Sequence, residues 1–190
     1  MTRLGILISG RGSNFQAIHQ AIERDELNAQ IACVISNVPD AAGVVYALAH
    51  GLPTHALDSK GIKRADFDTT LIEILRAANV DLVCLAGYMR LLSPHFIEAF
   101  RGRIVNIHPS LLPAFPGLNA QGQAFAAGVN ETGCTVHYVD EGLDSGPVIA
   151  QVKVPVLPGD TEETLSARIL EQEHLLYPKA IRTLIAAASA

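Results

Sequence analysis

Cysteine is scarce in this chain, and what there is does not pair. Cys33, Cys84 and Cys134 are the only three in 190 residues, odd in number and about fifty residues apart. They show no Cys-x-x-Cys or Cys/His ligand spacing, so a disulfide framework and a structural zinc site are excluded, and reduced, mostly buried thiols in a cytoplasmic protein are expected. Long apolar runs are missing too. None approaches the ~20 residues that a membrane helix needs, and no Lys/Arg block ahead of an apolar stretch marks a secretory signal. Positive charge is thin, with 14 Lys and Arg against 19 Asp and Glu for a net charge of −5, and it is scattered. A chain without a basic stripe is not expected to take a nucleic acid or a membrane surface as partner. The seven histidines form no HxxxH or HxH pair, so no metal is expected. There is no GxSxG elbow. Ser110 or Ser145 with His108 and Asp144 makes a poor hydrolase triad, because Ser110 lies too close to His108 for any familiar order of the three.

What is abundant is apolar, β-branched sequence in short runs. Hydrophobic residues make up 49% of the 190, enough for one sizeable core and marginal for two, so a single domain over 1–190 is expected. Runs at 4–9, 31–36, 82–86 and 104–107 alternate with longer helical patterns. That alternation predicts an α/β fold: one doubly wound, mostly parallel sheet with helices on both faces. Ser13 is placed to cap the first helix with Gln16 reaching back, ahead of an apolar stripe at Ala17, Ile18, Ala21 and Ile22. Further helices are expected at 41–50, 64–78 and 94–100, the last with Ser93 as cap and Pro94 in its first turn. The stretch 109–122 holds three prolines and two glycines and reads as a loop. Strands at 132–139 and 148–156 fit as antiparallel partners across the loop 140–147. Asp160 with Glu163 is then expected to cap a C-terminal helix, with Pro178 as a kink or break.

Three short stretches carry chemistry. In NIHPSLLP, residues 106–113, Asn106 and His108 sit two apart at the end of a strand, so they share a face, and Pro109 takes the chain out of the sheet. Open α/β sheets keep their ligands at such strand ends. In SGRGSN, residues 9–14, Gly10 and Gly12 let the backbone turn from strand to helix with its free amides facing an anion. Phe15 stands where a dinucleotide loop has its third glycine, and no Gly-Lys-Ser/Thr follows. A single phosphate monoester fits better than either fingerprint, and a plain strand-to-helix turn is the alternative. In DSGPVI, Asp144 is either a turn former or a carboxylate folded back on His108, where it would favour the imidazolium.

SGRGSN, LAGYMRLLSP at 85–94, NIHPSLLP followed by FPG, DSGPVI and the late QEH at 172–174 together resemble the glycinamide ribonucleotide transformylases, a family of folate-dependent formyltransferases. The similarity runs nearly end to end. It implies a Rossmann-like domain that moves a formyl group from 10-formyltetrahydrofolate to the amino group of glycinamide ribonucleotide in purine synthesis. In that family's terms Asn106, His108 and Asp144 are catalytic, with Asn106 and protonated His108 donating to a developing oxyanion and Asp144 supporting His108. Gly12, Ser13 and Asn14 would hold the phosphate and Glu173 a ribose hydroxyl. Arg64, Met89, Arg90, Leu91, Leu92, Ile97, Asn106, Val139, Asp140 and Glu141 would meet the folate. The resemblance implies a cytoplasmic monomer or weak homodimer acting on small molecules. Asn119 and Gln121 stand where the family commonly has two histidines, which bears on substrate affinity more than on reaction class.

Two rivals keep the same stretches. A formyltetrahydrofolate hydrolase would use water as acceptor, and such enzymes usually carry an N-terminal regulatory domain, whereas here the catalytic pattern starts at Leu4. A catalytically silent binder of a phosphate ligand would not need Asn106, His108 and Asp144 together.

Overall fold

The computed structural model describes residues 1–188. Its elements in chain order are β1 (Thr2–Ile8), α1 (Ser13–Glu23), β2 (Ala29–Ser36), α2 (Ala42–Ala49), β3 (Thr54–Ala56), α3 (Arg64–Ala77), β4 (Leu82–Leu85), α4 (Pro94–Ala99), β5 (Ile104–His108), α5 (Ala120–Ala126), β6 (Glu131–Tyr138), β7 (Val148–Pro155) and α6 (Glu162–Ala188). The strands form one seven-stranded sheet in the order β3-β2-β1-β4-β5-β6-β7, mostly parallel with a late antiparallel pair. The backbone divides into two compact units, Met1–Val105 and Asn106–Ala190.

In the first unit β1 pairs in parallel with β2 on one side and β4 on the other. Its strands are buried on both faces, so they read as continuous apolar runs: Leu4, Ile6, Leu7 and Ile8 are 0% exposed. Parallel pairing places the carboxyl ends of β1, β2 and β4 on one edge. The connection from β1 leads to β2 on one side while β4 lies on the other, which makes that edge a topological switch point. The loops 9–12, 37–41 and 86–93 leave from it. Gly43, in the first turn of α2, is what lets this helix approach: a Cβ there would stand 2.5 Å from Ile8 Cδ1 and 3.0 Å from the Gly10 carbonyl oxygen.

In the second unit β6 and β7 are antiparallel, and the register slips between Val136 and His137, leaving Ile149 as the extra residue. The helix α6 packs on both strands through Leu165, Ile169, Tyr177 and Ile181, all 0% exposed. These lie on one face at steps of four, and the position between Ile169 and Tyr177 on that face is Glu173.

Four local expectations change. Ser13 is not the cap of α1; it is the first helical residue, and Gly12 caps the helix in the left-handed region at φ 68° with no side-chain hydrogen bond. The capping oxygen at α6 belongs to Thr161, whose Oγ1 accepts from the Thr164 amide at 3.2 Å, while Asp160 is committed to Leu157 and Arg168. Pro178 does not end α6, which runs 27 residues through it. The loop expected over 109–122 ends early, because α5 begins at Ala120 with Asn119 as its cap, accepting from the Gly122 amide at 3.3 Å. Ser93 does cap α4, accepting from Phe96 at 3.3 Å.

Candidate active site

The chemistry-bearing residues of the second unit meet at the end of β5. His108 is its last residue and is 5% exposed. Its Nε2 donates to the Phe115 carbonyl at 2.9 Å, and its Nδ1 lies 3.5 Å from Asp144 Oδ2. Both ring nitrogens thus face acceptors. Asp144 sits in the left-handed region at φ 49°, and its Oδ2 also accepts from the Gly117 amide at 2.8 Å. The FPG turn therefore anchors the carboxylate that faces His108. DSGPVI is a turn, and it is also the carboxylate partner.

His137, on β6 at the register slip, was not among the expected site residues. Its Nδ1 donates to the Tyr138 carbonyl at 2.9 Å. The Nε2 of the neutral ring is then an acceptor, and Asn106 Nδ2 lies 3.3 Å from it. This contact turns the amide nitrogen of Asn106 inward and leaves its second N–H to donate elsewhere. Burial pushes the His137 pKa below the ordinary histidine value, outweighing the Tyr138 carbonyl and the Asp144 carboxylate, which act the other way. Asp144 Oδ1 lies 3.8 Å from His137 Nε2. The sequence signal was a histidine on the same face as Thr135, two positions on, in a strand whose buried residues also include Cys134 and Val136.

The turn after His108 is fastened by a buried hydroxyl. Thr135 Oγ1 donates to the Ser110 carbonyl at 2.7 Å and accepts from the Leu112 amide at 3.1 Å. Gln151 Nε2 donates both to that hydroxyl at 2.9 Å and to the Leu112 carbonyl at 2.8 Å. The peptide bond Leu112–Pro113 is cis.

The other expected residues fall on several elements. In the first unit the first three amides of α1 precede its first helical bond, Gln16 N–H to the Gly12 carbonyl at 2.9 Å, and so form the usual anion-facing end. Gly12 and Asn14 are buried there and Ser13 is half-buried. Met89 and Leu91 are 69% and 60% exposed, unusual for large apolar side chains in a loop leaving a sheet edge. Leu92 is half-buried, Ile97 belongs to the core of α4, and Arg64 opens α3 in solvent. The Arg90 guanidinium is already engaged: it donates to the carbonyls of Ser59 at 2.8 Å and Ile62 at 2.7 Å and lies over the Phe67 ring. What Arg90 leaves for a ligand is its backbone. In the second unit Val139 is half-buried and Glu141 exposed, while the Asp140 carboxylate closes its own loop on Gly142 and Ser145. Glu173 is 5% exposed, and its charge adds to burial in pushing the Cys134 thiol up to about 12.

Among the described residues no group of three or more His, Cys, Asp and Glu is arranged to hold a metal ion, and no helix is long and apolar enough to cross a membrane. Cys33, Cys84 and Cys134 are free and buried.

Comparison with known proteins places the chain in a family. The formyl transferase family model matches residues 2–181. The phosphoribosylglycinamide formyltransferase of Bacillus subtilis is 45% identical over 186 residues, 97% of this chain and 95% of that protein. The trifunctional purine biosynthetic protein adenosine-3 of Drosophila pseudoobscura is 49% identical over 190 residues, 98% of this chain but only 14% of that much longer protein. The crystal structure of phosphoribosylglycinamide formyltransferase from Bacillus halodurans superposes with a TM-score of 0.95 at 45% identity, covering 98% of this chain and 97% of that one. Glycinamide ribonucleotide transformylase 1 from Symbiobacterium toebii does so with a TM-score of 0.92 at 52% identity, covering 96% and 86%. With a match over nearly its whole length and Asn106, His108 and Asp144 gathered at one strand end, the chain belongs to the formyl transferase family.

Proposed function

We propose that this chain, acting as one catalytic domain, transfers a formyl group from 10-formyltetrahydrofolate to the amino group of glycinamide ribonucleotide. The observation that carries the reading is the pairing of His108 with Asp144 beside Asn106, in a chain that aligns along its length with named phosphoribosylglycinamide formyltransferases.

The residues have separable tasks. Asn106 Nδ2–H and the Nδ1–H of His108, which at 3.5 Å from Asp144 is not held as closely as Nε2–H is by Phe115, donate to the formyl oxygen as it gains negative charge under attack by the amine, and losing one such donor costs about 10²–10³ in rate in comparable sites. Asp144 keeps His108 oriented and accepts the proton that the attacking nitrogen must shed, directly or through water. The departing nitrogen takes a proton back, so the reaction is balanced with tetrahydrofolate and the formylated ribonucleotide as products.

Binding roles follow the same reading. The α1 amides with Gly12, Ser13 and Asn14 take the phosphate, and Glu173, buried and charged, takes a ribose hydroxyl. Met89 and Leu91 offer exposed apolar surface that a flat heteroaromatic ring would cover, and Leu92, Ile97, Val139, Asp140, Glu141 and the backbone of Arg90 complete that set, with Arg64 as a cation for the acidic tail. Three buried free thiols fit a cytoplasmic setting. The test is formyl transfer by the purified protein. It should occur only when glycinamide ribonucleotide is present. Deformylation at equal rate without the ribonucleotide identifies a hydrolase, and folate binding without turnover identifies a silent binder.

A further inference from the structure

The phosphate loop and the folate segment of the first unit are tied by a closed ring of hydrogen bonds. Ser9, at the start of SGRGSN, donates through Oγ to Asn37 Oδ1 at 2.5 Å. Asn37 Nδ2 donates to Ser59 Oγ at 3.2 Å. The Ser59 carbonyl accepts from the Arg90 guanidinium at 2.8 Å. One residue back along the chain, the Met89 amide donates to Ser9 Oγ at 2.8 Å, which closes the ring.

The ring is doubled by backbone contacts. Ser9 N–H donates to the Gly87 carbonyl at 3.2 Å, and Ser59 N–H to the Asn37 carbonyl at 3.3 Å. The far end of the folate segment is held separately: Asp68, 0% exposed, accepts the Ser93 amide at 2.6 Å. Residues 87–93 form neither helix nor strand, so these contacts take the place of a ladder. Asn37 uses both ends of its amide in the ring, Oδ1 as acceptor and Nδ2 as donor. Ser9 gives its hydroxyl as donor to one loop and as acceptor to the other.

We propose that the Ser9–Asn37–Ser59–Arg90 ring couples the two substrate loops, with Asn37 as its hub, so that binding of the ribonucleotide at SGRGSN pre-orders the 87–93 segment for folate and binding of folate does the same in return. The inference rests on the reading above, in which those loops meet the two substrates. A ligand that orders one loop spares the other ligand part of the ordering cost, and such coupling is reciprocal. Ser9 and Asn37 are therefore positioning residues; neither needs to touch a reacting atom.

The experiment measures the dissociation constant of tetrahydrofolate, which has no formyl group to transfer, by calorimetry with and without saturating glycinamide ribonucleotide. In the wild type the ribonucleotide should tighten folate binding about fivefold or more, the usual lower range for coupled sites. In Asn37→Ala and in Ser9→Ala the ratio should fall to about 1. The double variant should lose no more than either single one, as expected for two joints of one ring. Ser9→Ala removes a single hydroxyl, so it remains informative if Asn37→Ala does not fold. A residue that only supports the fold would weaken both ligands and leave the ratio untouched. A ratio above 1 that survives in both variants, or a wild-type ratio of 1, overturns the inference while the functional reading stands. A wild type that binds neither ligand overturns both.

Discussion

Asn106 Nδ2 lies 3.3 Å from Nε2 of His137, and His137 can accept there because its Nδ1 proton is held by the Tyr138 carbonyl. The amide that we propose stabilises an oxyanion is thus oriented by a second imidazole. His137→Ala should lower kcat by about 10–100-fold with smaller effects on either KM, since a misplacement of about 1 Å can cost that much. Steady-state kinetics on the purified variant checks this, and a wild-type kcat would remove His137 from the positioning role.

The same contact has a pH signature. Burial holds the His137 pKa below its ordinary value, so the folded protein keeps this ring neutral where the unfolded chain would protonate it. As pH falls below about 6.5, the ordinary histidine value, the unfolded state binds the extra proton and stability declines until the folded pKa is passed. NMR titration of the His137 ring should show the Nδ1–H tautomer at neutral pH and a midpoint under 6.5. A midpoint above that value would contradict the sign.

Asp144→Asn keeps an oxygen for the Gly117 amide but removes the charge facing His108. Turnover should fall by about 10²–10⁴-fold, the range for a lost acid–base group, with circular dichroism and Tm close to wild type. Loss of the fold instead would make Asp144 structural.

Thr135→Val tests the fastening of the turn after His108. The swap keeps the shape of a 0% exposed side chain and leaves the Leu112 amide without its acceptor. The expected cost is about 2 kcal/mol, or a fall in Tm of about 4–8 °C for a chain of this size. An unchanged Tm would mean that the turn is held without Thr135.

Asp160 is held well below the usual carboxylate range, first by the Arg168 guanidinium and then by the Leu157 amide. A depressed folded pKa stabilises above the unfolded value of about 3.9 and loses that contribution as pH drops through the folded value. Thermal melts of wild type and Asp160→Asn should therefore differ at pH 7 and converge in strong acid. A gap that widens on acidification would reverse the assignment.

Much of this arrangement was legible in the residues because it depends on local periodicity. Buried parallel strands announce themselves as β-branched runs, and α3, expected at 64–78, spans Arg64–Ala77. The Ser93–Pro94 start of α4 was readable because capping is a contact three residues long. What escaped was short or depended on distant partners. The strand β3 has three residues, too few for a period to show. The helix α5 has seven, with Gly122 inside and a proline-rich turn before it, so composition pointed to a loop. Ser13 with Gln16 reads as a capping box, yet the glycine before it takes the left-handed conformation that the turn requires and caps the helix instead.

The chain's own order of residues was enough to settle the fold class, the strand end that bears Asn106 and His108, and the family chemistry, since each follows from patterns within a few positions or from motifs spelled out in full. Folding alone could bring Asp144 to His108 across 35 intervening positions, seat His137 behind Asn106, and close the ring from Ser9 through Asn37 and Ser59 to Arg90. Such contacts depend on how strands and loops pack, and a hydrogen bond between residues far apart in sequence leaves no periodic trace in either of them.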